Sequence, residues 1–295
     1  MTVLRSIAPE RSREHPTLMA TDRPARADKP PGPADGPPDP PGGEQRTRAE
    51  LYADLRATDR TRGTADEPHT TADGGWEWKS LRLPPAANHV ADQQLAARRA
   101  AEGRHPDGSY DDRGLTPALR RVEAQLDHGS LVPDTEKFAL KSPDRFKEKL
   151  AKMIGTEPDR PAIDLAAEIH DGIRYTYVLG FEQYSADVDT ARRLFDADGY
   201  EEVAFKPSWS GDEYKGINSQ WRDPASGHIF EVQFHTQDSW EAKQKTHAAY
   251  EKIESPDTSP ADRARLREYQ RHISSRVPIP PGALDFRPYK KKDEQ

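Results

Sequence analysis

The 295-residue sequence contains no cysteine, which excludes disulfide bonds, thiolate metal sites and cysteine nucleophiles. No apolar run approaches the roughly 18 residues of a membrane span, and the N-terminal MTVLRSIAPERSREHP lacks the apolar segment of a signal peptide. We therefore expect a cytoplasmic protein without a membrane partner. An excess of positive charge is also missing. The net charge of -7 argues against general DNA binding, because phosphate backbones are held by basic surfaces.

Apolar residues are scarce as well, at 33% of the sequence against 32% charged residues. Ten of the 27 prolines precede residue 42, around the stretch DKPPGPADGPPDPPGGE. Such a stretch buries too little apolar surface to offset the entropy of ordering, so residues 1–45 are predicted to form a disordered tail. Residues 46–109 are predicted to be a loosely attached helical and linker region, with helices at RAELYADLRATDR (48–60) and VADQQLAARRAAEG (90–103).

The compact domain is predicted over residues 110–275, followed by a C-terminal tail at 276–295. Helical apolar spacing in LTPALRRVEAQL, SPDRFKEKLAKMI, AIDLAAEI, VDTARRLFDADGY and SWEAKQKTHAAYEKI is interleaved with strand patterns in GIRYTYVL and YEEVAFK. A hairpin, YKGINSQWRDPASGHIFEVQFHT, comes before the last of these helices. The order predicts an α/β (α+β) fold with a mixed, mainly antiparallel sheet of about five strands flanked by helices.

The second strand of this hairpin carries two contrasting faces. Successive strand side chains point to opposite faces of a sheet, so one face is apolar and the other polar: Phe230, Val232 and Phe234 against Glu231, Gln233 and His235. A solvated face would hold mainly Lys, Glu and Thr, so a carboxylate, an amide and an imidazole in a row indicate a site. The first strand is predicted over residues 214–222, with Tyr214, Gly216, Asn218 and Gln220 sharing one face.

Cations gather near the start of the helix that Ser142 is predicted to cap: Lys141, Arg145, Lys147 and Lys149. A helix N-terminus carries partial positive charge, so cations there are unfavourable unless an anion lies among them. The alternative is a solvated basic face that pairs with neighbouring carboxylates. Asp171 and Arg174, at the entrance of the GIRYTYVL strand, could equally be a turn residue and a surface residue. On the last helix, Trp240, Lys243, His247 and Tyr250 share one stripe, where core packing is the alternative.

The order of these pieces resembles the synthetase domain of RelA/SpoT-type nucleotide pyrophosphokinases. Basic LKSPDRFKEKL, an Asp before GIR, Y-K-G-I-N, E-V-Q-F-H-T, and a His eleven residues after that Thr follow the family's order over about residues 115–255. The resemblance implies a nucleotidyltransferase-like synthetase fold. It also implies Mg²⁺-dependent transfer of pyrophosphate from ATP to the 3'-hydroxyl of a purine nucleotide, which gives AMP and (p)ppGpp- or (p)ppApp-type alarmones.

The same resemblance implies roles for individual residues. The residues that would bind ATP are Lys141, Arg145, Lys147, Lys149 and, by stacking on adenine, Arg174. Glu231 and Asp171 would bind Mg²⁺, and Glu231 would also take the 3'-hydroxyl proton, with Gln233 beside it. The residues that would bind the acceptor nucleotide are Tyr214, Lys206, Asn218, His235 and His247.

Three positions depart from the family pattern: Ala139 replaces an arginine, Asn218 replaces a histidine, and Ile169 replaces the usual metal carboxylate, which leaves Asp171 as the candidate. Two alternatives stay open. One is a toxin that pyrophosphorylates the 3' end of tRNA, and the other is a non-catalytic nucleotide-binding module. A homo-oligomer or an antitoxin partner is also left open. The residues before the domain lack the paired histidines of a metal-dependent phosphohydrolase, so no alarmone degradation is expected.

Overall fold

The computed structural model of the protein describes residues 67–105, 107–255 and 258–291. The predicted tail at 1–45 and the predicted helix at 48–60 lie outside these residues. Nine strands lie in the described part: β1 (His69–Thr70), β2 (Trp76–Trp78), β3 (Leu81–Leu83), β4 (Gly129–Leu131), β5 (Arg174–Leu179), β6 (Glu201–Pro207), β7 (Ile217–Arg222), β8 (Ile229–Thr236) and β9 (Tyr289–Lys290).

Eight α-helices accompany these strands in the same part of the chain. They are α1 (Pro85–Glu102), α2 (Leu115–Glu123), α3 (Thr135–Phe138), α4 (Pro143–Thr156), α5 (Ala162–Ala167), α6 (Tyr184–Ala197), α7 (Gln237–Ile253) and α8 (Pro260–Ser274). Ser142 caps α4 as predicted, because its hydroxyl accepts from the backbone N–H of Arg145 and Pro143 fills the first helical position. Thr236 and Ser239 form a reciprocal capping box that starts α7 directly at the end of β8.

Within the described residues, six strands form the central sheet, in the order β4-β5-β8-β7-β6-β9. The pair β5 and β8 is parallel, and the other neighbouring strands are antiparallel. The predicted mixed, mainly antiparallel sheet flanked by helices is confirmed, with six strands where about five were expected. The parallel strands β5 and β8 are connected through α6, β6 and β7. Parallel neighbours need such a long connection, because a tight turn can join only antiparallel strands.

The apolar face of this sheet forms the main core. Phe230, Val232 and Phe234 of β8 are fully buried, as the alternation predicts. Tyr177 of β5 stacks on Phe234 with ring centroids 5.8 Å apart, and its hydroxyl donates to the carbonyl of Leu119 in α2. The hydroxyl therefore enters the core with its hydrogen bond satisfied, and α2 is held against the sheet.

The first strand of the hairpin is shorter than predicted, because β7 begins at Ile217 and not at residue 214. Gly216 interrupts it with a φ of 146°, and a Cβ at this position would lie 2.9 Å from Cε1 of His235. Only glycine fits this close approach and this backbone conformation. Tyr214 therefore lies in the loop before the strand. The turn between β7 and β8 is formed as predicted, with the Asp223 carboxylate accepting from the backbone N–H groups of two turn residues.

The described residues of the 46–109 region are part of the domain, which corrects the prediction of loose attachment. The small antiparallel sheet β1-β2-β3 and helix α1 share a second core with α4 and α5. Trp76, Leu83 and Ala91 are buried there against Phe146 and Leu150 of α4. The short strands β2 and β3 were missed because three-residue strands give almost no alternation to detect.

Residues 276–291 of the predicted C-terminal tail also pack on the domain. Helix α8 lies against α7, and Val277 and Ala283 are buried in the main core. Strand β9 extends the sheet by pairing with β6, with Tyr289 opposite Phe205. The prediction of a tail is therefore wrong for these residues, although their low apolar content gave little sign of packing.

Candidate functional site

The polar face of the central sheet is built by the register of three strands. The parallel pair β5 and β8 places Arg174 opposite Glu231 and Thr176 opposite Gln233. On the other side of β8, Gln220 of β7 is opposite Glu231. Side chains at paired positions point to the same face, so these five polar groups lie next to each other. The predicted polar face is therefore present, and it includes Arg174 from a strand far away in sequence.

Asp171 lies at the edge of this face, in the single helical turn His170–Gly172 that leads into β5. Its Oδ2 accepts from Nζ of Lys141 at 2.8 Å, and its Oδ1 accepts from Nζ of Lys149 at 2.7 Å. Burial alone would raise the pKa of Asp171, but the two ammonium groups outweigh burial and hold this pKa well below the usual carboxyl range. Two of the four predicted phosphate-binding cations thus converge on one ionised carboxylate.

A buried arginine that was not predicted holds the Asp171 turn in place. Nη2 of Arg98, on α1, donates to the carbonyl oxygens of Ala166 and Ile169, at 2.9 and 3.4 Å. Its guanidinium carbon lies 4.9 Å from the ring centroid of Phe146. A Cβ at Gly172 would lie only 2.5 Å from Nε of Arg98, so this position needs glycine. Sequence alone gives no signal for this role, because the two carbonyl groups that Nη2 of Arg98 contacts lie about 70 residues further along the chain.

Glu231 is the carboxylate at the centre of the polar face, with a side chain that is 13% exposed. Its Oε1 accepts from Nε2 of Gln233 at 2.7 Å, and Nη1 of Arg174 lies 4.0 Å away. Burial raises the pKa of Glu231, while the charge of Arg174 acts in the opposite direction. A carboxylate whose pKa is raised is a stronger proton acceptor once it is ionised, which is the property a general base needs.

The Gln233 amide links Glu231 to Lys243 on α7. The sequence pattern places Lys243 on the stripe of this helix with Trp240 and His247, but Lys243 is not among the predicted site residues. Nζ of Lys243 donates to Oε1 of Gln233, which also accepts from the Thr176 hydroxyl at 3.3 Å. The same ammonium group lies 4.7 Å from the ring centroid of Trp240. Burial and the nearby charge of Arg174 lower the pKa of Lys243 to about 7, while Glu231 acts in the opposite direction.

Arg145 and His247 meet at the rim of the same face. Nη2 of Arg145 donates to Oε1 of Glu251 at 2.6 Å, and Nε2 of His247 lies 3.6 Å from that oxygen. Arg145 also donates to Glu148 at 2.9 Å and lies 5.3 Å from the ring centroid of Trp78. Burial lowers the pKa of His247, and Glu251 acts in the opposite direction. Helices α4 and α7 are therefore joined by this ionic contact beside the polar face.

Lys147 does not join Lys141 and Lys149 beside Asp171, although the resemblance implies that Lys147 binds ATP phosphates. Its ammonium group lies 2.7 Å from Oδ1 of Asp92 on α1, and the rest of the side chain is buried. Residues two apart on a helix lie on nearly opposite faces, so Lys147 points away from Arg145 and Lys149. Lys206 is on β6 opposite Asn218, which places it on the polar side of the sheet but two strands from β8.

Tyr214, Asn218 and His235 form a fixed network at the end of the face. The Tyr214 hydroxyl donates to Oδ1 of Asn218 at 2.8 Å and lies 2.9 Å from Nε2 of His235. Nδ1 of His235 lies 2.8 Å from the Ser239 hydroxyl, so both ring nitrogens have a hydrogen-bond partner. Burial holds the pKa of His235 well below its ordinary value, in keeping with a neutral ring. The fully buried His235 positions Tyr214, and both of its nitrogens are occupied, which corrects its predicted direct contact with nucleotide.

The residues fit a magnesium ion that is shared with a phosphate ligand, but not one held by protein alone. Over the described residues, no three His, Asp or Glu side chains cluster closely enough to hold a metal. Mg²⁺ is commonly bound by one or two carboxylates plus substrate phosphates, and Asp171 and Glu231 offer two such groups. Both oxygens of Asp171 already accept from lysines, so those lysines would have to turn to the phosphates when the ion binds.

None of the helices in the described part of the chain combines the length and apolar character needed to cross a membrane.

No family model and no curated protein matches the sequence. Solved structures of similar fold include small alarmone synthetase 1 from Bacillus subtilis, with 14% identity, a TM-score of 0.42, and coverage of 62% of this chain and 90% of that chain. A GTP pyrophosphokinase family protein from Streptococcus pneumoniae has 12% identity and a TM-score of 0.40, and 65% of this chain and 90% of that chain are covered. Small alarmone synthetase 2 from B. subtilis has 12% identity and a TM-score of 0.39, and 62% of this chain and 93% of that chain are covered.

Proposed function

We propose that the protein is a nucleotide 3'-pyrophosphokinase that transfers the β,γ-pyrophosphate of ATP to the 3'-hydroxyl of a purine nucleotide. One observation carries the proposal: Lys141 and Lys149 converge on Asp171 beside the Arg174 and Glu231 pair. Three cations and two carboxylates are thereby placed on one face of a rigid sheet. Transfer of phosphoryl-type groups depends on positioning and charge neutralisation, which such a set supplies.

The donor side of the face would be formed by the basic groups. Lys141 and Lys149 can exchange the Asp171 oxygens for phosphate oxygens by rotation of their flexible stems, without backbone movement. The planar guanidinium of Arg174 is half-exposed and suits stacking on adenine. Arg145 at the rim would add a further charge, whereas Lys147 is paired with Asp92 and is not assigned to ATP.

The acceptor side would begin at the Tyr214 ring, which the network with Asn218 and His235 holds in a fixed orientation. Lys206 and His247 lie near the two margins of this face and would contact acceptor phosphates. Asn218 is the departure from the family pattern that we expect to influence acceptor choice, because an amide and an imidazole offer different donors to a base or phosphate.

Glu231 is assigned as the group that removes the acceptor proton. The acceptor 3'-oxygen would attack the β-phosphorus of ATP while the bond from that phosphorus to the α,β-bridging oxygen breaks. The hydroxyl proton moves to the Glu231 carboxylate, and AMP leaves with the bridging oxygen. Gln233 holds the carboxylate in position by donating to its Oε1. Mg²⁺, held by Asp171 and Glu231 together with the phosphates, would supply Lewis-acid stabilisation of the charge that develops there.

The test is conversion of γ-labelled ATP in the presence of GDP, GTP, AMP, ADP or deacylated tRNA, resolved by thin-layer chromatography. We expect labelled 3'-pyrophosphorylated nucleotide and an equal amount of AMP. Label on tRNA alone would identify the toxin alternative. Tight ATP binding without AMP release for any acceptor would overturn the proposal in favour of a non-catalytic nucleotide-binding module.

A further inference from the structure

Lys243 is a half-buried cation of the polar face and, among the described residues, has no ionic partner of its own. Lys141 and Lys149 share Asp171, and Arg174 lies 4.0 Å from Glu231. Within the described ranges, no carboxylate oxygen lies within ion-pair distance of the Lys243 ammonium group, which donates to the neutral amide of Gln233 and lies over the Trp240 ring. This face therefore holds two carboxylates, Asp171 and Glu231, and at least four cations: Lys141, Lys149, Arg174 and Lys243.

This arrangement is costly for a charged lysine. Transfer of an ammonium group out of water without an opposite charge favours the neutral amine, and the pKa of Lys243 falls accordingly to about 7. The charged groups that act on it are Glu231 on β8, which raises the pKa, and Arg174 on β5, which lowers it. His235 and His247 are close enough for the Lys243 charge to lower their own pKa values.

We propose that Lys243 is a further substrate-binding residue, whose ammonium group takes a phosphate oxygen of the bound nucleotide as the ionic partner that the protein does not supply. The inference rests on the proposed function, because it places the nucleotide phosphates on the polar face. A polyphosphate is the class of ligand that fits, since it brings several negative charges to a surface where cations outnumber carboxylates. A second divalent cation would instead add to the repulsion.

The ligand also alters the protonation of this lysine. A nearby phosphate favours the charged form and raises the lysine pKa, so a chain in which the amine is partly neutral must take up protons when the nucleotide binds. At pH 7, close to the pKa of the free group, the uptake by Lys243 alone would be about half a proton per nucleotide. An arginine at this position is always charged and takes up none.

The experiment uses isothermal titration calorimetry of the full chain with ATP and with inorganic tripolyphosphate, without acceptor, in two buffers of different ionisation enthalpy at pH 7. The variants are Lys243→Met and Lys243→Arg. The control is Lys245→Met, which removes an exposed lysine of the same helix that is paired with Glu241. We expect Lys243→Met to weaken both probes about tenfold or more, a loss of about 1.4 kcal/mol, and Lys245→Met to bind like wild type.

Lys243→Arg separates charge from shape. It is expected to retain most of the affinity but to take up about half a proton less than wild type, and protons that come from the ligand or from His247 cancel in this difference. Unchanged affinity in Lys243→Met would overturn the proposal. Failure of wild type to bind either probe would overturn it as well. Because binding is measured without acceptor, ATP that binds but is never converted would instead overturn the proposed function and leave this inference standing.

Discussion

Lys149 and Asp171 are joined by a 2.7 Å contact that ties the second turn of α4 to the turn before β5. The ammonium group of Lys141 contacts the other oxygen of the same carboxylate, at 2.8 Å. The Asp171 carboxylate is about four-fifths buried, so water screens these contacts only partly. The cluster that we assign to phosphate binding therefore also stabilises the packing of α4 on the sheet.

Asp171→Asn is expected to lower the free energy of unfolding by about 1–3 kcal/mol at pH 7, because two partly buried ammonium groups lose their counter-charge. Urea denaturation measures the change. The matched control is Asp134→Asn, which removes an exposed ion pair with Lys137 and keeps a residue type that tolerates the φ of 58° at this position. The control should change stability by less than about 0.5 kcal/mol.

The effect of Asp171→Asn depends on pH in a defined direction. The pKa of Asp171 is depressed in the folded protein, so its contribution is present above the ordinary aspartate pKa of about 3.9 and is lost as the pH falls further. The stability difference between wild type and Asp171→Asn should thus shrink between pH 6 and pH 3. A difference that grows on acidification would contradict this assignment.

Gly172→Ala should destabilise the protein by about 1–3 kcal/mol, because the added methyl group would meet the buried Arg98 guanidinium at 2.5 Å. Activity should fall as well, since the clash moves the turn that carries Asp171. Gly155→Ala is the control: a Cβ there meets nothing within 4 Å, and alanine favours the helix α4 by about 0.5–1 kcal/mol. Thermal unfolding checks both variants: the Tm should be lower than that of wild type for Gly172→Ala and higher for Gly155→Ala.

Two lysines of α4 should differ in their effect on ATP binding. Lys149→Met removes a cation of the Asp171 cluster and is expected to weaken ATP about tenfold or more. Lys147→Met removes a cation that faces Asp92 on α1 and should leave ATP affinity within about twofold of wild type. Fluorescence titration with a labelled ATP analogue distinguishes them. Equal losses would show that the basic helix start acts only through its total charge.

The local features of the site could be predicted from sequence, and the long-range ones could not. The alternation around Glu231 and the Ser142 cap are short-range patterns, and both are present. The opposite direction of Lys147 was also readable from its spacing of two residues from Arg145 and Lys149. Arg98 and Lys243 acquire their surroundings only when α1 meets the Asp171 turn and α7 lies along β8, and no local pattern encodes these contacts.

Glu231→Gln should leave the fold intact. Burial raises the pKa of Glu231, so ionisation of this side chain costs more free energy in the folded chain than in the unfolded chain. This cost destabilises the folded protein at pH values above the ordinary glutamate pKa of about 4.3. Removal of this charge should give a free energy of unfolding at pH 7 that equals or exceeds that of wild type, and the gain should vanish below about pH 4. Urea denaturation at both pH values checks this, and a loss of more than about 2 kcal/mol at pH 7 would count against it.

The rate of pyrophosphate transfer by Glu231→Gln is the most direct test of the proposed function. The comparison is with wild type and with Glu241→Gln, which neutralises an exposed carboxylate on α7. With ATP and the best acceptor, we expect Glu231→Gln to lose at least about a hundredfold in product and AMP formation while it still binds ATP, and Glu241→Gln to match wild type. Equal product formation by all three proteins would contradict the assignment of Glu231 and, with it, the account of this face as the reaction site.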